Sequence, residues 1–163
     1  MLAAAPIEIV AATLEDAAEI ARLSLELGYA TDIERTRANL SGLLASTRYR
    51  VVVARSQPSG PLLGWLVAER RLWLESDAGI EITGLVVSHS ARRLGVGRAL
   101  VAAAERWATQ LGLPAIRVRS NITRSESHPF YQGIGFIHTK TQHCYEKPLT
   151  PIQGLATDDA NEQ

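Results

Sequence analysis

The 163-residue sequence lacks several features that mark specialised proteins. It contains one cysteine, Cys144, so it can form neither an internal disulfide nor a cysteine-rich zinc site. No apolar run approaches the roughly 20 residues needed to cross a bilayer. The start of the chain lacks the basic residues and the long apolar stretch of a signal peptide. We therefore expect a cytoplasmic protein that does not associate with a membrane.

The sequence also lacks net charge, because 17 Lys and Arg residues balance 17 Asp and Glu residues. A neutral chain without interleaved basic and aromatic residues is not expected to bind nucleic acid. Hydrophobic residues make up 46% and charged residues 21% of the chain, as in ordinary globular proteins. The length fits one domain, which we place at residues 1–149, and the polar residues 150–163 predict a flexible C-terminal tail.

Hydrophobic periodicity and turn residues predict a mixed α/β sheet in the order β-α-α-β-β-β-α-β-α-β-β. Strands are predicted at 7–10, 49–55, 62–74, 80–87 and 115–120, and two more between 136 and 149. Thr13 and Thr31 are the expected N-caps of the first two helices, and Gly28 is expected to end the first. The third and fourth helices are predicted at 98–111 and 124–133. Gly84 is placed where the fourth strand could bulge.

The loop between the fourth strand and the third helix is the most informative segment, with the sequence RRLGVG at residues 92–97. A helix start offers unpaired N–H groups and a positive dipole end, and glycines let an anion approach the backbone. Three arginines, Arg92, Arg93 and Arg98, add positive charge. The loop therefore predicts a phosphate or pyrophosphate site. It is not a P-loop, because no Lys-Ser/Thr pair follows the second glycine, and a Rossmann fingerprint would need a third glycine where Leu100 stands.

Two motifs resemble those of the GNAT superfamily of N-acetyltransferases. Arg92, Gly95 and Gly97 occupy every fixed position of its coenzyme-A motif, Arg/Gln-x-x-Gly-x-Gly/Ala. Downstream, residues 130–136 fit the motif Phe-Tyr-x-x-x-Gly-Phe. The element order is also that of the family, so the resemblance covers residues 7–149 and implies the acyl-CoA N-acyltransferase fold with splayed central strands.

This resemblance implies an acetyl-CoA-dependent N-acetyltransferase that acts by direct attack of a primary amine, without a metal. The acceptor would be a small-molecule amine. Alternatives are a protein N-acetyltransferase and a non-catalytic acyl-CoA-binding sensor or interaction module. Many members are dimers, so a homodimer is one expectation for this chain. The implied coenzyme-binding positions are Leu85, Val86, Val87, Arg92, Arg93, Leu94, Gly95, Val96, Gly97, Arg98, Ala99, Asn121 and Tyr131.

Two residues are candidate catalytic groups, Tyr131 and Glu81. Tyr131 aligns with the family tyrosine near the coenzyme sulfur and would protonate the departing thiolate; otherwise it only packs beside aromatic neighbours. Glu81 would be a general base, an electrostatic anchor for a cationic acceptor, or a salt-bridged structural glutamate. Asn121 would contact the coenzyme or form an Asx turn, and His128 would be structural or a base.

The acceptor itself is not specified by the sequence. Its pocket is expected near the linker at residues 28–32. A polyamine or aminoglycoside would require an acidic pocket, and in that case Glu26, Asp32, Glu34 and Glu81 would have to converge.

Overall fold

The computed structural model describes residues 6–150, in which a five-stranded sheet carries helices on both faces. The strands, in both chain and spatial order, are β1 (Glu8–Ala11), β2 (Tyr49–Arg55), β3 (Leu62–Arg71), β4 (Gly79–Val87) and β5 (Ile116–Val118). The helices are α1 (Ala17–Glu26), α2 (Ile33–Leu44), α3 (Val96–Gln110) and α4 (Ser127–Gly133), with short 3-10 turns at Leu14–Asp16 and His89–Ala91. Neighbouring strands from β1 to β4 are antiparallel, and β5 is parallel to β4.

Two apolar clusters cover the two faces of the sheet. On one face, α3 places Leu100 and Trp107 against Leu66 and Ile80. On the other, α1 and α2 place Leu23 and Leu40 against residues of β2 and β3. Both faces of β2 and β3 are therefore covered, which explains why β2 shows a run of β-branched residues rather than a strict alternation.

Turn and capping residues fix the short linker between α1 and α2. The N–H of Gly28 donates to the Leu25 carbonyl (3.0 Å), and that of Tyr29 donates to the Ser24 carbonyl (3.0 Å), with Gly28 at φ +85°. This is a Schellman end, so the expected stop at Gly28 is confirmed. The expected cap at Thr31 is wrong by one residue: Asp32 is the N-cap of α2, and its carboxylate accepts the N–H of Arg35 at 2.8 Å.

A β-bulge interrupts β4 next to Gly84, where the sequence predicted one. Val67 pairs with Gly84 and Ala68 with Ile82, so Thr83 is the extra residue. A Cβ on Gly84 would lie 2.6 Å from the Trp65 ring. Glycine is needed here so that the indole can lie across the strand.

Several predicted boundaries differ from the structure. β3 ends three residues earlier than expected, β5 is shorter, α4 begins later, and α3 begins two residues earlier. The two final strands expected between residues 136 and 149 are not formed among the described residues: residues 137–150 are all exposed, and no backbone hydrogen bond joins them to another described residue. The residues of this segment alternate as in a strand, but no neighbouring strand among the described residues pairs with them.

Two further observations concern the ends of the chain and the membrane. Except for residue 150, the predicted tail at 150–163 lies outside the described residues. Within residues 6–150, no helix is both long and apolar enough to span a bilayer.

Candidate active site

A cleft opens between β4 and β5 because these two strands pair over only three residues. Ile80–Ile82 pairs with Ile116–Val118, and β4 then runs on to Val87 without β5. The N–H of Ser88 donates to the Leu63 carbonyl on the β3 side (2.8 Å). Because main-chain groups alternate along a strand, those of Leu85 and Val87 point to the opposite, open side. An extended ligand with amide groups can pair with this free edge.

The loop before α3 presents unpaired N–H groups to the same cleft. The first backbone bond of α3 runs from the Ala99 N–H to the Gly95 carbonyl (3.0 Å), so the N–H groups of Val96, Gly97 and Arg98 precede the helical ladder. Gly95 has φ +82° and Arg93 has φ +62°. A Cβ at Gly95 would meet nothing within 4 Å, so its backbone angle alone calls for glycine. Such a loop suits a phosphate group.

The second glycine of the motif has a different role from the one we expected. A Cβ on Gly97 would lie 3.0 Å from Cζ of Phe130 and 3.6 Å from Cγ2 of Val87. The missing side chain therefore lets α4 pack closely on α3 and β4. We expected both glycines to admit an anion, but only Gly95 has open space above it.

The arginines of the loop remain available to an anionic ligand. Arg93 and Arg98 are exposed and form no ion pair with any residue from 6 to 150. Arg92 lies 3.6 Å from Glu126, and both side chains are largely exposed, so this pair is weak. The three guanidinium groups thus add positive charge at the start of α3, as the sequence predicted.

Tyr131 lies in an aromatic cluster at the mouth of the cleft. Its ring meets Phe130 (5.1 Å between centroids) and Phe136 (5.4 Å) edge to face. Burial is the main cause that raises the pKa of Tyr131, Tyr29 raises it further, and Arg124 opposes the shift. The phenol therefore stays protonated at neutral pH and is available as a donor. The packing role and the donor role are compatible.

An aromatic residue of the α1–α2 linker reaches this cluster, and sequence reasoning missed it. The guanidinium of Arg124 lies 5.2 Å from the ring centroid of Tyr29. This contact ties the linker to the segment before α4, as a cation–π pair. The only signal in the sequence is an aromatic residue within an otherwise polar break.

Glu81 is buried and ion-paired on both carboxylate oxygens. Its Oε2 lies 2.6 Å from Nη1 of Arg71, and its Oε1 lies 3.1 Å from Nε of Arg119. Its cross-strand neighbours are Glu69 and Arg117. This is the arrangement of the salt-bridged alternative, in which neither oxygen is free for an acceptor.

Asn121 forms the Asx turn that was its structural alternative. Its Oδ1 accepts the N–H (3.0 Å) and the hydroxyl (2.9 Å) of Thr123. Nε2 of His128 lies 3.2 Å from the Asn121 carbonyl oxygen, which can only accept, so Nε2 is protonated there. The turn and the histidine thus brace the chain after β5, and Nδ1 of His128 forms no hydrogen bond with any residue from 6 to 150.

The four carboxylates that an acidic acceptor pocket would need do not gather in one place. Asp32 and Glu34 line a shallow depression of about 450 Å³ together with Leu25, Thr31 and Ile33. Glu81 is held by its arginines. Glu26 forms hydrogen bonds with the chain at the end of β4 instead.

Glu26 connects the end of α1 to the end of β4. Its Oε1 accepts the backbone N–H of His89 (2.5 Å) and the hydroxyl of buried Ser88 (3.3 Å). The His89 hydrogen bond is the main cause that lowers the pKa of Glu26, and Arg22, 3.5 Å away, favours the same charged form. This carboxylate therefore fixes the linker side of the cleft to the strand that carries the open edge.

The described part of the chain, residues 6–150, has no group of three His, Cys, Asp or Glu side chains placed to hold a metal ion.

Comparison with known proteins places this cleft in a family. Residues 14–136 match the sequence model described as "Acetyltransferase (GNAT) family". An aminoglycoside N(6')-acetyltransferase type 1 of Stenotrophomonas maltophilia is 31% identical over 93% of this chain and 99% of its own length. The protein of the same name from Klebsiella aerogenes is 35% identical over 68% of this chain and 73% of its own length.

Solved structures share the fold. The aminoglycoside N-acetyltransferase AAC(6')-Iy in complex with CoA superposes with a TM-score of 0.78 at 21% identity, covering 88% of this chain and 96% of that one. The aminoglycoside 6'-N-acetyltransferase AAC(6')-Ig from Acinetobacter haemolyticus gives 0.75 at 20% identity, with 88% and 99% covered.

The Glu26 link predicts a measurable loss of stability. Glu26→Ala should lower the free energy of unfolding in urea by about 1–2 kcal/mol, because a backbone donor and a buried hydroxyl lose a charged acceptor. Glu105→Ala on the exposed side of α3 is the control and should change the free energy of unfolding little. Because the folded pKa lies below 4.5, the stabilisation is present above that pH and is lost as the pH falls through the folded pKa. Equal losses in both variants at neutral pH would contradict the link.

Proposed function

Because this chain belongs to the GNAT family of acetyltransferases, we propose that it acetylates the 6′-amine of an aminoglycoside. The family establishes the coarser activity, an acetyl-CoA-dependent N-acetyltransferase whose acceptor is a small-molecule amine. The observation that carries the finer proposal is the Stenotrophomonas maltophilia relative, since its similarity extends over 93% of this chain and so includes the acceptor side as well as the coenzyme loop.

The residues on the coenzyme side fit acetyl-CoA. The free edge at Leu85 and Val87 can pair with the amides of its pantetheine arm, and the N–H groups at the start of α3 can donate hydrogen bonds to its pyrophosphate. The guanidinium groups of Arg93 and Arg98 complement the phosphate charges. Asn121 has its carboxamide oxygen occupied in the turn, so we propose that its contribution is to hold the chain that borders the cleft.

The acceptor side is proposed to attract a cationic amine through the linker. Asp32 and Glu34 place two carboxylates in the depression beside the linker, and Tyr29 of the linker contacts Arg124 in the segment before α4. An aminoglycoside carries several ammonium groups, so exposed carboxylates at the entrance favour it over a neutral amine. Each such exposed pair contributes about 0.2–1 kcal/mol.

The proposed chemistry is one direct transfer. The neutral amine nitrogen forms a bond to the thioester carbonyl carbon, and the carbon–sulfur bond breaks. Tyr131 gives its phenolic proton to the departing thiolate and regains a proton from solvent, while the amine nitrogen loses its own proton to a separate acceptor. We propose water or Nδ1 of His128 as the acceptor of that proton rather than Glu81, since both oxygens of Glu81 are paired with arginines.

The remaining expectations stay predictions. These are a cytoplasmic location, no nucleic-acid or membrane partner, and a homodimer. A protein N-acetyltransferase and a non-catalytic sensor are the outcomes that would replace the proposal.

An acceptor panel tests the proposed function directly. Release of free thiol from acetyl-CoA should be rapid with an aminoglycoside that carries an amine at the 6′ carbon, and should fall to background with a matched one that carries a hydroxyl there. Spermidine and a peptide with a free N-terminus are the competing acceptors. Turnover of only the polyamine or only the peptide would replace the proposed acceptor, and no turnover with intact acetyl-CoA binding would favour the sensor.

The same assay tests the linker carboxylates. Glu34→Gln should raise KM for the aminoglycoside by about 1.4- to 5-fold with kcat unchanged, because an exposed charge pair of about 0.2–1 kcal/mol is lost. Glu105→Gln on the outer side of α3 is the matched control. Equal KM values in both variants would remove Glu34 from the acceptor site.

Tyr131→Phe tests the proposed acid. The ring packing against Phe130 and Phe136 is retained, so a lost donor should lower kcat by about 10²–10⁴-fold with little change in acetyl-CoA affinity. Tyr49→Phe on β2 is the control and should be neutral. Since burial raises the pKa of Tyr131 above 10.0, wild-type kcat should show no fall from its ionisation below pH 10. An unchanged kcat in Tyr131→Phe would leave it a packing role.

The Glu81→Gln variant distinguishes two roles for Glu81, that of a general base and that of a structural, salt-bridged residue. If Glu81 serves its arginine partners, the variant keeps kcat and the acidic limb of the pH–rate profile, and loses about 1–3 kcal/mol of stability. Glu69→Gln, in the same group of charges (Arg71 Nε to Glu69 Oε2, 3.8 Å), should behave alike. A large fall in kcat together with loss of the acidic limb in Glu81→Gln alone would restore Glu81 as the base.

A further inference from the structure

The side-chain amines of this chain are confined to one short segment. Of the 17 Lys and Arg residues, Lys140 and Lys147 are the lysines, and all the others are arginines. An arginine stays protonated in proteins and cannot attack a thioester, whereas a lysine can lose its proton and become a nucleophile. A protein of an amine-acetylating family thus carries only two lysines that its own reaction could modify.

Residues 137–150, which we call the lysine segment, are exposed throughout. No backbone hydrogen bond joins them to another described residue. Neither Lys140 nor Lys147 forms an ion pair or a side-chain hydrogen bond with any residue from 6 to 150. Each of the two amines can therefore approach a reactant without first breaking a contact with the described part of the chain.

The lysine segment starts beside the tyrosine of the cleft. The N–H of Gly135 donates to the Gln132 carbonyl (3.2 Å), and that of Phe136 donates to the Tyr131 carbonyl (3.0 Å). The rings of Phe136 and Tyr131 lie 5.4 Å apart between centroids, and Phe136 also packs on the main core. These contacts anchor the first end of the segment next to the phenol that we propose as the acid for the departing thiolate.

Lys140 lies within reach of the cleft because it comes four residues after Phe136. Four residues span at most about 14 Å, at up to about 3.6 Å each, and the four-carbon stem of the lysine carries its amine further. A contact of 3.2 Å between Nε2 of His138 and Oγ1 of Thr141 closes a four-residue loop that contains Lys140. Lys147 comes eleven residues after Phe136, so its tether to the cleft is much longer.

We propose that Lys140 is a modification site, which the protein acetylates with the acetyl-CoA bound in its own cleft. The neutral Nζ of Lys140 forms a bond to the thioester carbonyl carbon, and the carbon–sulfur bond breaks. The departing thiolate takes the proton of Tyr131, which regains one from solvent, and the lysine nitrogen loses its proton to water. The products are one N-acetyllysine and free coenzyme A, so each chain reacts once at this position. The step rests on the proposed chemistry of the cleft but not on the identity of the small-molecule acceptor.

The length of the tether favours Lys140 over Lys147. For a flexible chain, the chance that its end meets a fixed point falls with about the 3/2 power of the number of residues between them. With four residues from Phe136 to Lys140 and eleven from Phe136 to Lys147, the expected preference is about fivefold. Lys147 lies in the same exposed segment, so it is a matched internal control for the position of Lys140.

Mass spectrometry of the intact chain and of its peptides gives the first test. With isotope-labelled acetyl-CoA and no other acceptor, Lys140 should gain one acetyl group about fivefold faster than Lys147. The initial rate should saturate with acetyl-CoA at the concentration that half-saturates turnover of a small amine, and excess coenzyme A should suppress it. Lys147→Arg should keep the modification at Lys140. Lys140→Arg should lose it and retain turnover of the small amine.

A mixture of two variants tests whether the reaction takes place in the chain's own cleft. Tyr131→Phe retains Lys140 but loses the proposed acid, so its self-acetylation should fall by the same factor as its turnover of a small amine, about 10²–10⁴-fold. Addition of active Lys140→Arg should not restore labelling of the Tyr131→Phe chain. Restored labelling in the mixture would overturn the assignment to the chain's own cleft.

Two further results would overturn the modification site itself. One is equal labelling of Lys140 and Lys147 without saturation by acetyl-CoA, which is the mark of an uncatalysed reaction. The other is an enzyme that turns over a small amine while Lys140 stays unmodified. Saturable labelling of Lys140 without turnover of any aminoglycoside would support the site and would contradict only the proposed acceptor.

Discussion

The early end of β5 is the constraint on which the rest of the site depends. β5 stops at Val118 while β4 continues to Val87, so β4 carries a stretch of free edge beside the last strand of the described sheet. The Asx turn at Asn121, braced by His128, takes the chain away from β4 directly after this point. A hydrogen-bonded turn thus follows the point where β5 leaves β4, and the free edge of β4 beside it can accommodate an extended ligand.

Close packing then fixes the other side of the opening. Because Gly97 has no side chain, Phe130 can lie against the start of α3, and this contact sets the position of α4. Tyr131 follows Phe130 in the chain and is held between two rings. The position of the Tyr131 phenol thus depends on a missing Cβ two elements away, so the glycine loop and the motif at residues 130–136 form one packed unit.

The sequence predicted the parts of the fold that depend on local patterns. The bounds of β2, the stop at Gly28, the bulge beside Gly84 and the helix start at the glycine loop follow from periodicity and turn chemistry within a few residues. The parts it missed depend on distant partners. Alternation in residues 137–149 indicates a strand, but a strand forms only where another strand pairs with it, and none among the described residues pairs with this segment.

The candidate site shows the same division. Arg92, Gly95 and Gly97 were identifiable because the spacing itself carries the chemistry of an anion loop. The different roles of the two glycines could not be identified from the sequence. The ring of Phe130 that faces Gly97 belongs to a helix more than 30 residues later in the chain. Tyr29 was missed for a similar reason, because its partner Arg124 lies on another segment. The spacing of residues in the sequence identifies groups that act together within one loop. The role of each group depends on the side chains that pack against it in the fold.

The distribution of charge decides which carboxylates can meet a cationic acceptor. The chain is neutral overall, so any attraction for a cation has to come from individual groups whose charge the fold leaves unpaired. Glu81 neutralises arginines on the sheet, and Glu26 serves a backbone N–H and a buried hydroxyl, so neither offers a free charge. Asp32 shares its charge with the first turn of α2. Glu34 forms no hydrogen bond or ion pair with its side chain in the described part of the chain, and it lines the linker depression. An acceptor held by so few exposed charges should bind less tightly as salt rises, because the Debye length falls to about 8 Å at physiological ionic strength.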